Sequence, residues 1–376
     1  MGEFLDRHPQ TIRPLTSLRF LAALSVFFYH LEFFTVASPL HRFIGRYFNQ
    51  GFTGVSFFFI LSGFILTHNY RDHFVMGRWT PWREFYVSRL ARIYPTHVLF
   101  FVLSWPLMGG IFLSAPFKTV VKGISQLFLA QSFFPSATFS QTFNPLSWTI
   151  SDELFFYALF PLILVLISRL KFKNARGYLG SAFFVWCVAF FIVHVFRKTP
   201  IQNWLFYFFP GFRLFDFVLG VLLYHIFLGT KPLLDKKSGL FFTFMETGAL
   251  GVMVLTFRYA SQVPTAYLWA VYFMPSMALL IFVFSFSRGA VSGILSHGGL
   301  VLLGEMSYSF YMCHILLLQY VKKAWLALGF EAGDLMAVVV LALVLITSFF
   351  SYRYYEMPMK HLIKRKFSGS ADKAGS

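Results

Sequence analysis

Charge is scarce in this sequence, and acidic charge most of all. Asp and Glu number 15 in 376 residues, and only 12% of the chain is charged, about half of the roughly 25% typical of a soluble domain. A fold with water on every side does not fit that shortage, and no clustered carboxylates supply a hard-cation cage. Cysteine is nearly absent. Cys187 and Cys313 both stand in apolar runs, which makes them core thiols rather than a disulfide framework. No two histidines stand three or four apart within an apolar run, so the spacing of a metal or haem ligand pair is missing and no metal site is expected. No glycine-rich phosphate loop follows a strand-like segment. Nor is there a fixed-period repeat or a matched pair of broken helices, which weighs against a transporter built from inverted repeats.

What the chain has instead is apolar bulk. It is 57% hydrophobic and contains 53 Phe. Runs near the roughly 20 residues needed to span a bilayer lie at about 16–38, 51–70, 85–106, 149–168, 178–196, 211–228, 240–257, 265–287, 301–321 and 335–355. The expected fold is therefore all-α, a polytopic bundle of about ten transmembrane helices. The first run is trailed by Val36-Ala37-Ser38, like a signal peptide. Cleavage there would discard its Arg/His pair, so it is read as a retained span.

The net charge of +17 suggests nucleic acid until the cations are placed on the loops. With ten spans, 21 of the 32 Lys and Arg fall on one side and nine on the other, leaving Arg19 and Arg213 inside spans. Positive residues concentrate on the cytoplasmic side, so both termini are expected there and no nucleic-acid partner is. Residues 117–134 are apolar but interrupted by Lys and Gln. An eleventh crossing there would put the Lys171 cluster outside. They are read as one re-entrant or interfacial helix in the outer loop 107–148. The polar residues 361–376 are expected as a disordered cytoplasmic tail after a single membrane domain spanning 1–360.

Several polar groups stand where lipid-facing residues would not. Arg19 and His30 are eleven positions apart in SLRFLAALSVFFYH, almost three helical turns, so they share a face on the order of 16 Å apart along the axis. Ionisable groups inside a membrane mark a functional site by default, although a snorkelling Arg and a core His satisfied by a neighbour fit this helix equally well. Asp152 and Glu153 follow Trp148 in SWTISDELFFY, where a carboxylate can orient an imidazole, bind a hydroxyl, or simply favour a helix N-terminus. Arg89 and Arg92 are three apart and share a face, which suits either phosphate recognition or cytoplasmic anchoring. Arg213 and Asp216 have ion-pair spacing. Ser307, Tyr308, Tyr311 and His314 stripe one face of the ninth span, and Glu356 before Pro358 reads as a helix end at the surface.

Taken together, five segments resemble the acyltransferase-3 family of polytopic membrane acyltransferases, in the family's order. They are LRFLAALSVFFYH, GFTGVSFFFILSGFIL, RLARIYP, SWTISDELFFYALFP and SYSFYMCHILLL, and they cover about residues 15–360. The resemblance implies transfer of an acyl group, usually acetyl, from a cytoplasmic acyl-CoA co-substrate to a hydroxyl of a sugar or similar acceptor, with no permanently bound cofactor. Carried over, His30 is the catalytic His and Arg19 its motif partner, with Glu153 placed to orient the imidazole or the sugar. Arg89 and Arg92 contact donor phosphates, and Trp148, Asp152, Tyr157, Ser307, Tyr311 and His314 are expected to bind substrate. The acceptor would be a carbohydrate, such as lipopolysaccharide or another cell-surface glycan, or a glycolipid. The setting would be a bacterial inner membrane with its lipids, and no obligate protein partner is inferable. Leu154 replaces the second carboxylate of many members, which loosens the link to acceptor identity. No hydrolase-like domain is appended, so the membrane unit is expected to act alone. Acyl-enzyme formation on Ser62 or Ser307 and direct transfer both stay open. The competing class is a transporter or flippase for a lipid-linked or amphiphilic substrate, and the membrane-bound O-acyltransferase pattern is not found.

Overall fold

The structure, a computed structural model, describes residues 11–368 apart from 33–34, 36–37, 75–78, 171 and 173. Among these residues all regular structure is helical. Hydrocarbon offers backbone N–H and C=O groups no water, so each apolar segment has to satisfy them within itself.

The chain runs through α1 (Arg13–Glu32), a short α2 (Pro39–Tyr47) capped by Ser38, α3 (Gly54–Tyr70) and α4 (Trp79–Ser104). The segment joining α4 to the next long helix holds three small helices, α5 (Gly109–Ser114), α6 (Pro116–Leu127) and α7 (Ala137–Ser140). Then come α8 (Trp148–Ser168), α9 (Ala175–Phe196), α10 (Pro210–Leu234), α11 (Gly239–Tyr259), α12 (Thr265–Ala270) and α13 (Met274–Phe284). The last part comprises α14 (Ala290–Leu295), α15 (Gly298–Glu305), α16 (Ser307–Ala327), α17 (Asp334–Ser351) and α18 (Met357–Ser368).

Among the described residues, nine helical segments are long and apolar enough to cross a membrane. The pair α15 and α16, bent by 61° at Met306, makes a tenth. The ten apolar runs of the sequence are thus the ten long segments of a multi-pass membrane bundle. The ends differ. α1 stops at Glu32 rather than at 38. The last span passes through a π-helical turn, Tyr352–Glu356, straight into α18. Pro358 does not stop it, because the π-helical turn just before it, closed by the Met357 N–H on the Tyr352 carbonyl, shifts the hydrogen-bond ladder where proline has no N–H to give. Residues 361–368 are therefore helical, and 369–376 lie outside the described residues. Glu356 is not at the surface: it is 4% exposed and accepts a hydrogen bond from Ser309 Oγ at 2.8 Å. Within 117–134, α6 has 12 residues, roughly 18 Å of helix, too short to cross.

Glycines set two close approaches. At the α3–α10 crossing a Cβ on Gly63 would meet the carbonyl oxygen of Phe217, and one on Gly220 the carbonyl oxygen of Ile60. Neither helix can carry a side chain there, which is how membrane helices without a hydrophobic drive between them pack closely. Gly304 similarly lets α15 press its backbone on Thr16 of α1.

Gly220→Ala is expected to lower the thermal midpoint of the purified protein, by an overpacking cost of about 1–3 kcal/mol. Gly251→Ala, where a Cβ meets open space, should leave it unchanged or raise it slightly. Thermal unfolding in detergent followed by tryptophan fluorescence reads both.

Candidate active site

α1 carries the two groups from which the site grows, and its neighbours decide what each one meets. Towards its start, Arg19 lies within electrostatic reach of Arg92, Arg89, Glu153 and Tyr157. Those residues come from α4 and α8. They converge because the first turn of α8 is buried as a whole, from Trp148 to Asp152, against a folded approach segment. Gln126 donates to Ser147 Oγ at 2.5 Å and to the Asn144 carbonyl at 3.1 Å, Gln131 donates to Ser147 Oγ at 3.2 Å, and Ser151 donates to the Leu129 carbonyl at 2.5 Å. Asn144 reaches across to the Met312 carbonyl of α16 at 3.0 Å. These amides were not singled out from the sequence; the available signal was Gln and Asn interleaved with Phe and Leu ahead of the apolar run of α8.

A cavity of about 60 Å³ opens at this junction. Arg19, Ser62, Arg92, Glu153, Ser307 and Tyr311 give it its polar lining, and Phe58, Phe59 and Ile93 part of its apolar wall. Glu153 Oε1 accepts from Tyr157 and, at 3.4 Å, from Ser62 Oγ. The break at Met306 matters here, since it starts α16 at Ser307 and so turns Ser307, Tyr308 and Tyr311 onto the cavity. Tyr308 is held by its hydroxyl on the Ile93 carbonyl at 2.7 Å. Arg89 stands beside the cavity, with Nη2 3.2 Å from Tyr70 Oη and the guanidinium 6.0 Å from the Tyr157 ring centre.

Three turns further along α1, His30 Nδ1 lies 3.1 Å from His314 Nε2 of α16, and the ring centres are 5.2 Å apart. Phe27 packs edge-on against His314 and Phe310, and Phe310 lies tilted against His314. Tyr311 joins the two regions. Its ring centre is 5.8 Å from that of His314 and 6.0 Å from that of Phe58, which lines the cavity.

Of the residues picked from the sequence, Arg19, Arg92, Glu153, Ser307 and Tyr311 meet in the cavity, with Tyr157 and Arg89 on its rim. Glu153 is engaged with Ser62 and Tyr157, and the side chain at hydrogen-bonding distance from His30 is His314. Trp148 is core, packed edge-on or tilted among Phe59, Tyr207 and Phe208. Asp152 turns away from the cavity, beside Ser132, Arg213 and Asp216. There Arg213 Nη2 pairs with Asp216 at 2.9 Å and donates to Ser56 Oγ at 2.6 Å, and Nη1 donates to the Trp269 carbonyl at 2.8 Å. Arg213 and Asp216 are both fully buried. Among the described residues no group of three or more His, Cys, Asp or Glu could hold a metal ion.

Residues 14–353 match the family model described as "Acyltransferase domain". Acyltransferase MdmB of Streptomyces mycarofaciens is 27% identical over 390 aligned residues, which cover 95% of this chain and 94% of MdmB. O-acetyltransferase OatA of Staphylococcus aureus is 25% identical over 369, covering 94% of this chain and 58% of OatA, so the chain spans little more than half of that protein. No solved structure matches the chain.

Arg213→Leu leaves Asp216 and Asp152 without their cation. Breaking a buried pair costs about 3–5 kcal/mol, so the variant is expected to lose most of its monodisperse fraction in detergent size-exclusion chromatography. Phe209→Leu, at the partly buried start of α10, serves as the control and should keep it.

Proposed function

The chain belongs to this acyltransferase-domain family, and from that premise we propose that it moves an acyl group, acetyl foremost, from cytoplasmic acyl-CoA to a sugar hydroxyl of a cell-surface glycan or glycolipid. The observation that carries the reading is the His30–His314 contact at 3.1 Å, connected through Tyr311 to a cavity lined by Arg19 and Arg92. A polyanionic donor cannot enter hydrocarbon. Its phosphates stay at the end of the bundle that carries Arg89 and Arg92, and its acyl-pantetheine arm extends past Arg19 towards His30.

His30 acts as general base. The Val26 carbonyl, one turn back, faces its ring, and with His314 Nε2 as a second acceptor it favours the proton on His30 Nδ1. His30 Nε2 is then free to take the proton of the acceptor hydroxyl as its oxygen attacks the thioester carbonyl. The new C–O bond forms, the C–S bond breaks, and the CoA thiolate leaves with the proton returned from His30. His314 holds the imidazole in that tautomer and orientation. Arg19, opposed by Glu153 and held among other cations, is placed to steady the donor. The integral-membrane setting is the bacterial inner membrane, with the N-terminal end of α1 on the cytoplasmic side.

Membranes containing wild-type protein, His30→Ala or His314→Gln, given radiolabelled acetyl-CoA, test this through CoA release and label in extracted glycans and lipids. His30→Ala should lose about 10²–10⁴-fold in turnover with normal insertion. His314→Gln should lose less, in kcat rather than in KM for acetyl-CoA. Near-normal turnover by His30→Ala overturns the mechanism. If no acyl-CoA supports His30-dependent labelling although acceptors are present, a transport role gains.

A further inference from the structure

The helix that follows the last span brings lysines to the same end of the bundle. α18 packs along α4, held by Arg83 Nη2 on the Phe367 carbonyl at 2.9 Å and by Tyr355 Oη on the Pro95 carbonyl at 3.3 Å. Lys360 and Lys364 are four apart and so share a helix face. That face is turned inwards. Lys360 and Lys364 are partly buried, whereas Arg365 and Lys366, on the other face, are exposed. Lys360 lies within electrostatic reach of Arg92, Lys364 and Arg89, and Lys364 within reach of Tyr70, the partner of Arg89.

Lys360 therefore lies within electrostatic reach of three further cations from two helices. Among the described residues none of Arg89, Arg92, Lys360 and Lys364 forms a salt bridge with a carboxylate. Two carboxylates oppose the four cations, Glu356 within reach of Lys360 and Arg92 and Glu153 within reach of Arg92, and each already accepts hydrogen bonds, from Ser309 and from Ser62 and Tyr157. Partly buried like charges repel with little screening, so holding them together needs an anion of several charges. A phosphomonoester beside a diphosphate has that chemistry, in a nucleotide donor or, less completely, in a lipid headgroup. The inward turn of Lys360 and Lys364 favours a ligand held by the bundle, since the lysines of a lipid-binding surface helix point outwards.

Resting on the reading above, we propose that α18 is part of the donor site: Lys360 and Lys364 bind the 3′-phosphate of acyl-CoA, while Arg89 and Arg92 hold its diphosphate. α18 is then the wall that closes the donor entrance against α4, and it makes the enzyme selective for CoA over donors lacking that phosphate.

The test is calorimetric binding of CoA and of dephospho-CoA to the full chain in phosphatidylcholine nanodiscs. Wild type should prefer CoA by about tenfold or more, the value of one to two charge-assisted hydrogen bonds. Lys360→Gln with Lys364→Gln should erase the preference while leaving dephospho-CoA binding as in wild type, which also reports that the variant is folded. Lys236→Gln, exposed between α10 and α11, should keep the preference. A double variant that still prefers CoA overturns this inference and leaves the proposed function standing. Wild type that binds neither compound overturns both. If wild type shows no preference for CoA in phosphatidylcholine nanodiscs but is stabilised by phosphatidylglycerol where the double variant is not, the lysines serve a lipid headgroup and the inference fails.

Discussion

A buried guanidinium has to be answered by the helices beside it, and in this bundle Arg213 and Arg19 are answered in different ways. Arg213 is held at both terminal nitrogens. Asp216, Ser56 and the Trp269 carbonyl engage them, and together they tie α10 to α3 and to α12. These contacts are all to the protein itself, so its role is to fix helix positions. Arg19 makes no such closed set. It faces two carboxylates, Glu153 and Glu356, together with two further arginines, around an open cavity. An excess of cationic charge facing a cavity in an apolar bundle points to an anionic visitor.

The other constraint is geometric. α16 begins only at Ser307, after a 61° bend, and Gly304 lets the preceding α15 lie backbone to backbone with α1. That seating fixes how α16 runs beside α1. Seven residues on from Ser307, His314 comes level with His30. The same two helices thus build the cavity at one height and the histidine pair at another, and Tyr311 is the side chain common to both. On the proposed reading, donor recognition and proton transfer are separated along the bundle, an arrangement suited to a donor and an acceptor that come from opposite faces.

Much of this was legible in the sequence, for physical reasons. Ten apolar runs became ten long segments because hydrocarbon forces helices on them. The three-turn spacing put Arg19 and His30 on α1 at separate heights, and the i,i+3 spacing of Arg213 and Asp216 gave an ion pair. What was not legible depends on contacts between distant parts of the chain. His30 and His314 are 284 positions apart, and no local pattern pairs them. The sequence offers Glu153 to the imidazole or to the sugar without saying which side chains it meets. The segment around Gln126, Gln131 and Asn144 buries the first turn of α8, and Glu153 meets Ser62 and Tyr157. Glu356 looked like a surface helix end because Pro358 usually announces one, and the π-helical turn carries the chain past it. The inward face of α18 was hidden by the polarity of its outward face.

On the proposed function, the donor enters from the Arg89–Arg92 end and the histidines act beyond it. Sealed membrane vesicles of opposite orientation, each supplied with membrane-impermeant labelled acetyl-CoA from outside, test it most directly. Inside-out vesicles should release CoA and incorporate label at once, and right-side-out vesicles only after permeabilisation. Equal labelling of intact right-side-out vesicles would contradict the account.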